Sequence, residues 1–311
     1  VEIWNAHSGE FLRRLDETSK VLDAQVFPDG ERVATIGSDH VGAIWNATSG
    51  ERLLVMVPGD DAKPRAVRVL AGGAHVLTGM SEGPALHGSV WSAASGSLVH
   101  SLRATSGPVL FLEVSPCGLK LVTVTQGFNN SCFVWDILTG VLEQRISGEV
   151  DRPTSVAVSA GASAVVMGTT RGAVHCYDGG TGDWRWSDAI GKPVVALALL
   201  PLRDGLIAMT ADALTVFQAS SGALVTTLTA PGAGLSRFSA GDRYWAACGT
   251  PPEWRGRQGM YIWDGFTGRL VTTWVGADVS NVSEPEALPC AVAVGPPGPL
   301  PPVGHPDVGK V

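Results

Sequence analysis

An all-β fold, a β-propeller of four-stranded antiparallel blades, is what this sequence of 311 residues predicts. Three observations carry the expectation. An aromatic residue recurs at Trp4, Trp45, Trp91, Trp135, Tyr177, Phe217 and Trp263, with spacings of 41, 46, 44, 42, 40 and 46 residues. A glycine follows each aromatic by five positions: Gly9, Gly50, Gly96, Gly140, Gly182, Gly222 and Gly268. Between these copies there is room for two further short apolar runs, each bounded by turn residues.

The constant offset marks a fixed turn among variable loops. An aliphatic residue and then the aromatic end a strand, as in Ile44-Trp45, Val90-Trp91 and Val134-Trp135. Small polar residues such as Asn5, Asp136 and Asp264 begin the reversal, with Ser8, Thr139 and Thr267 next to the glycine. Glycine enters the positive-φ region without a Cβ penalty and starts the returning strand. That strand is again short and apolar, as in Leu53-Leu54-Val55, Leu98-Val99, Leu224-Val225 and Leu270-Val271.

Neighbouring residues on a strand point to opposite faces. A large aliphatic beside an aromatic in copy after copy therefore requires a sheet buried on both faces. A two-layer sandwich leaves one face wet; blades packed side by side cover both.

The two remaining strands of a blade are expected at Val21 to Phe27 and Arg32 to Ile36, joined by Pro28-Asp29-Gly30. Equivalents are Val109 to Val114 with Leu121 to Val124, Ser155 to Val158 with Ala164 to Met167, and Val194 to Leu199 with Leu206 to Met209. Four short strands in about 43 residues make one blade.

Composition narrows the function. Hydrophobic residues make up 45%, enough for a substantial core, and the net charge of -7 offers nothing to a phosphate backbone. Nucleic acid is therefore not an expected partner. The longest apolar run, Val194 to Leu200, is strand-sized and far short of a membrane span, so no membrane insertion is expected. Five cysteines without a CxxC pair read as reduced bystanders, which points to an intracellular and cytoplasmic setting. The start at Val1 reads as a segment of something longer.

These residues resemble the WD-repeat family. Val21-Leu22-Asp23-Ala24-Gln25-Val26-Phe27-Pro28-Asp29-Gly30 looks like its inner strand and turn, and Ile36-Gly37-Ser38-Asp39-His40 with Ala43-Ile44-Trp45-Asn46 like its second hairpin and closing dipeptide. The likeness covers roughly residues 1 to 294. It departs from the family in lacking the Gly-His dipeptide, in keeping Trp-Asp only at Trp135-Asp136 and Trp263-Asp264, and in replacing tryptophan at Tyr177 and Phe217. The family's Asp–His–Ser/Thr–Trp hydrogen-bond network is thus expected to be mostly lost, leaving packing to hold the blades.

In that family the outermost strand of a blade follows the glycine. The resemblance then implies that residues 1 to 15 supply two outer strands of a first blade and that six blades follow, ending near Trp274. Cys290 to Val294 with Gly295-Pro296-Pro297-Gly298 would be the inner strand of a closing blade beside Val1 to Trp4. Its second strand falls on Pro299-Leu300-Pro301-Pro302, where proline donates no ladder hydrogen bond. The expectation is a seven-bladed ring with one incomplete closing blade, or a fragment of a longer repeat array. Residues 295 to 311 read as a Pro/Gly tail or linker.

No motif points to catalysis or a cofactor. Gly79-Met80-Ser81-Glu82-Gly83 matches the G-x-S-x-G elbow, but that chemistry needs a strand, a sharp turn and a helix, and here a hairpin turn is expected. The histidines are scattered, and His175-Cys176 projects to opposite faces, so no metal is expected. The enzymatic rival is a quinoprotein-type propeller. Tyr177-Asp178-Gly179-Gly180-Thr181-Gly182-Asp183-Trp184-Arg185-Trp186 looks like that family's repeat, in which a tryptophan four past the glycine docks adjacent blades. Other copies place Arg13, Leu54 and Val225 there, which favours divergence over enzymology.

Function is then expected on exposed loops. Pro251-Pro252-Glu253-Trp254-Arg255-Gly256-Arg257 joins Trp254 to Arg255 and Arg257, residue types enriched at interface hot spots. Asp60 and Asp61, with Glu149, Asp151, Glu284 and Glu286, are expected on the same face, an acidic surface suited to a basic partner. The resemblance implies a non-catalytic scaffold or assembly subunit whose partners are other proteins or other domains of one parent chain. The alternative is a regulatory propeller in the manner of WD-repeat tails on signalling ATPases.

Overall fold

The computed structural model describes residues 1–4, 11–17, 19–59, 63–79, 86–104, 107–125, 131–147, 151–200, 203–230, 234–240, 244–250, 259–265 and 267–275. The expected fold class is observed. These residues form seven antiparallel sheets, six of them four-stranded, and no α-helix. The chain divides into two compact units, Val1–Pro231 and Gly232–Val311.

In the first unit, a two-stranded sheet of β1 (Glu2–Trp4) and β2 (Phe11–Arg14) comes first. The second sheet is β3 (Val21–Val26), β4 (Arg32–Gly37), β5 (Gly42–Asn46) and β6 (Arg52–Met56). The third is β7 (Ala66–Val69), β8 (His75–Gly79), β9 (Leu86–Ser92) and β10 (Leu98–Arg103). The fourth is β11 (Val109–Val114), β12 (Lys120–Thr125), β13 (Cys132–Asp136) and β14 (Leu142–Ile146). The fifth is β15 (Pro153–Val158), β16 (Ala164–Thr169), β17 (Ala173–Asp178) and β18 (Trp184–Ala189). The sixth is β19 (Ala196–Leu200), β20 (Gly205–Met209), β21 (Ala213–Gln218) and β22 (Leu224–Thr229). In the second unit, β23 (Arg237–Ala240), β24 (Tyr244–Gly249), β25 (Gly259–Asp264) and β26 (Leu270–Val275) make the seventh sheet. Every sheet is a meander, each strand pairing with the next in sequence.

The turn after each aromatic repeats from sheet to sheet. Gly50, Gly96, Gly140, Gly182, Gly222 and Gly268 all have φ between 66° and 80°. Each donates its N–H to the carbonyl four residues back, as Gly50 does to Asn46 at 2.9 Å and Gly140 to Asp136 at 2.9 Å. The Asp136 carboxylate accepts from the Thr139 N–H at 2.9 Å and its hydroxyl at 2.8 Å, while Asp264 holds Thr267 in the same way. These side-chain acceptors fix the reversal before the strand returns. Gly9 and the rest of the first copy's turn lie outside the described residues.

Core clusters straddle successive sheets, and the aliphatic–aromatic pair is divided between them. Ile44 packs forward with Val67, Val76 and Trp91 of the third sheet, whereas Trp45 packs back on Leu15 and Ile3. Val134 faces Val156 and Met167 of the fifth sheet, whereas Trp135 faces Leu77 and Leu102 of the third. Cys176 and Tyr177 divide in the same sense. Period-two geometry thus welds the second to fifth sheets to both neighbours within this unit.

Strand bounds follow the expected ones closely, with one informative exception. The sixth sheet begins at Ala196, not at Val194. Val194 instead packs against Gly168, where a Cβ would come within 2.5 Å of its side chain, and its carbonyl accepts from the Thr154 hydroxyl at 2.6 Å. The closing strand expected at Cys290 to Val294, and the tail, lie outside the described residues.

Candidate functional site

The hydrogen-bond network expected to be mostly lost keeps its tryptophan half. Indole Nε1 of Trp45, Trp91 and Trp135 donates to Thr35, Thr78 and Thr123 Oγ1 at 2.9, 2.9 and 3.1 Å, all buried. Register explains the pairing: each threonine stands two residues beyond the strand residue opposite the tryptophan. Met167 and Ala208 hold that place where the aromatic is Tyr177 or Phe217, side chains without an indole N–H. The chain continues through borrowed partners. Thr35 donates to Glu17 at 3.0 Å, and Thr123 meets His87 Nδ1, from the third sheet, at 2.7 Å. His87 lies edge-on to Phe133 with centroids 4.7 Å apart, and burial pulls its pKa down to about 4.

A second contact recurs four residues past the glycine. Trp186 Nε1 donates to the Ala219 carbonyl at 2.8 Å, with its indole against Gly222. Arg13 reaches Ser49, His100 reaches Leu138 and Gln144 reaches Thr181 by the same route, at 2.7, 2.6 and 2.6 Å. The docking geometry expected of Trp186 alone is therefore shared by dissimilar side chains. The equivalent in the sixth sheet is Thr226, opposite Val216, and not Val225.

Outermost strands are largely exposed. Phe11 and Leu12, Leu98 and Val99, Val141 and Leu142, and Leu224 and Val225 face solvent, as does Trp184 at 61% exposure. In the second unit Leu270 and Val271 do the same. Sequence reasoning took the apolar residues after each glycine as strand signal. The missed clue is their position: an outermost strand has no strand beyond it, so apolar residues there are surface.

Inner strands carry charge. Arg68 on β7 pairs with Asp23 on β3 at 2.6 Å, and Glu113 occupies the corresponding place on β11, where burial raises its pKa to about 7 against the opposing pull of Arg68. Gly79 ends β8, and the next strand, β9, pairs back on it antiparallel; Met80 to Gly83 of the elbow match lie outside the described residues. No group of three His, Cys, Asp or Glu side chains placed to hold a metal occurs among the described residues. No helix among them is long and apolar enough to cross a membrane.

Trp254, Arg255 and Arg257, Asp60 and Asp61, and Glu149, Glu284 and Glu286 lie outside the described residues, as does the side chain of Trp4. The loop bearing Trp254 is bounded by the ends of β24 at Gly249 and β25 at Gly259. Asp151 stands beside Arg171 Nε at 2.8 Å.

Meander sheets, repeated aromatic–glycine turns and cores shared between successive sheets define a β-propeller protein. No family model matches the chain. It is similar to eukaryotic translation initiation factor 3 subunit I of Kluyveromyces lactis, with 37% identity over 98 residues. That match covers 31% of this chain and 26% of the relative, so the chain spans about a quarter of the protein it resembles.

Proposed function

We propose that this chain is a divergent WD-repeat propeller acting as a non-catalytic scaffold or assembly subunit that holds other proteins in the cytoplasm. The observation that carries this reading is the row of exposed apolar side chains on the outermost strands, such as Leu98-Val99 and Leu224-Val225. Those strands also leave one edge unpaired within their sheets. Contiguous apolar surface on an open edge is costly to leave in water and is the usual ground for a partner. The matched relative bears the name of a subunit, which supports an assembly role. The loop of Trp254, Arg255 and Arg257 is a second docking candidate on residue chemistry alone, and Asp60 and Asp61 would favour a basic partner.

Affinity purification from the native cell, with the intact chain and with Leu224→Asp/Val225→Asp and Trp254→Ala/Arg257→Ala variants, tests this. A stoichiometric protein partner lost in at least one variant of unchanged melting temperature is the expected result. A chain that elutes alone, or variants that keep every partner, would overturn the scaffold reading.

A further inference from the structure

The sixth position past the turn glycine seals each inter-sheet seam in most of the first unit. Leu15, Met56, Leu102 and Ile146 stand there, none more than 2% exposed. In the fifth sheet that position is Asp188, which is exposed. Across the seam the facing position is small, as it is at Ala43 and Ser89 in the second and third sheets. Phe133 and its cross-strand neighbour Arg145, whose guanidinium lies 5.5 Å from the ring, fill the slot in the fourth sheet. Their counterparts in the sixth sheet are Thr215 and Thr227, again a cross-strand pair.

A cavity of about 360 Å³ results, at the small end of the range for ligand sites. Thr215 and Phe217 are its buried lining, and the exposed Leu224 and Thr227, Asp188 and the Lys192–Asp212 ion pair stand around its mouth. Thr215 is 4% exposed, and its hydroxyl has no hydrogen-bond partner although it lines the cavity. A buried hydroxyl left unpaired costs free energy that an incoming group can recover. A departure from the repeat at this seam, Asp188 in place of a buried apolar side chain, gives up packing, as is expected where a site is kept open.

We propose that this seam binds a small cationic ligand: a protonated amine on a compact apolar body. The lining offers hydroxyl and carboxylate oxygens as acceptors, and an ammonium supplies donors to match. Lys192 is already paired with Asp212, which leaves Asp188 to set the sign of the field at the mouth. The body takes the volume that an aromatic ring occupies in the fourth sheet. The proposal does not rest on the scaffold reading, although Leu224 belongs both to this lining and to the outermost-strand surface.

Methyl NMR of the intact chain with benzylamine, benzyl alcohol and benzoate as probes tests it. Benzylamine is expected to shift the Thr215, Thr227 and Leu224 methyl signals saturably, with a dissociation constant on the order of 1 mM. Benzyl alcohol should bind more weakly and benzoate least. Asp188→Asn should weaken benzylamine roughly threefold to tenfold and leave benzyl alcohol unchanged. Thr215→Phe should abolish both while melting no lower than the parent, which separates a filled slot from a misfolded chain. No saturable shift, meaning a cavity that holds only water, would overturn the proposal. So would equal binding of the three probes, or benzylamine affinity indifferent to Asp188→Asn.

Discussion

The indole of Trp186 rests on Gly222 of the next sheet, and a Cβ added to that glycine would approach the ring to 2.7 Å. The same glycine needs φ of 75°, so one residue serves both the turn and the seam. Gly222→Val meets both demands badly and should destabilise by about 2–4 kcal/mol. Trp186→Ala should cost about 3–5 kcal/mol and Trp186→Phe much less, near the value of the lost hydrogen bond, about 1 kcal/mol. Chemical denaturation of the three variants checks the order.

This double duty shows how much was legible in the sequence. The turn was readable because glycine takes its φ without a Cβ penalty, and the paired faces were readable because Ile44-Trp45 and Val134-Trp135 repeat. The docking position was not, because Arg13, His100, Gln144 and Trp186 share a side-chain nitrogen facing a carbonyl but differ in size, charge and hydropathy. Likewise Thr35, Thr78 and Thr123 gain meaning only once register brings them under an indole N–H. The exposed apolar strands were present in Leu98-Val99 and Leu224-Val225 but needed the sheet order to show which strand is outermost. Loops such as that of Trp254 offer residue type without periodicity, and residue type alone places nothing.

Replacing Thr35, Thr78 or Thr123 with valine keeps shape and removes the acceptor of a buried indole. Each should cost about 1–3 kcal/mol, with serine recovering most of it. Thr35 and Thr123 should cost more than Thr78, since each has a second partner, Glu17 and His87. Urea titration of the valine and serine series decides this.

Stability should fall on both sides of mid-range pH, for opposite reasons. His87, held near 4 by burial, stays neutral while the unfolded imidazole protonates near 6.5. The unfolded chain therefore binds more protons between those values, and stability drops as pH falls from 6.5 through 4. Glu113, raised to about 7, keeps its proton when folded, so its contribution is full below about 4.5 and is lost as pH rises through 7. Glu113→Gln should flatten the upper limb, and His87→Asn the lower. Unfolding free energies at four pH values between 4 and 8.5 provide the check.

Asp188→Leu restores the sealing side chain found at Leu102 and should stabilise the chain by about 1–2 kcal/mol. The measurement is the denaturation midpoint beside that of the parent. A loss of stability would show that the carboxylate already helps to hold the seam.

The division of each aliphatic–aromatic pair between two neighbouring sheets is open to direct observation by methyl–aromatic nuclear Overhauser effects at Val134 and Trp135. Contacts from Val134 to Val156 or Met167, with contacts from the Trp135 indole to Leu77 or Leu102, are expected. Both residues reporting the same neighbours, or an indole in free exchange with water, would contradict the fold and everything derived from it.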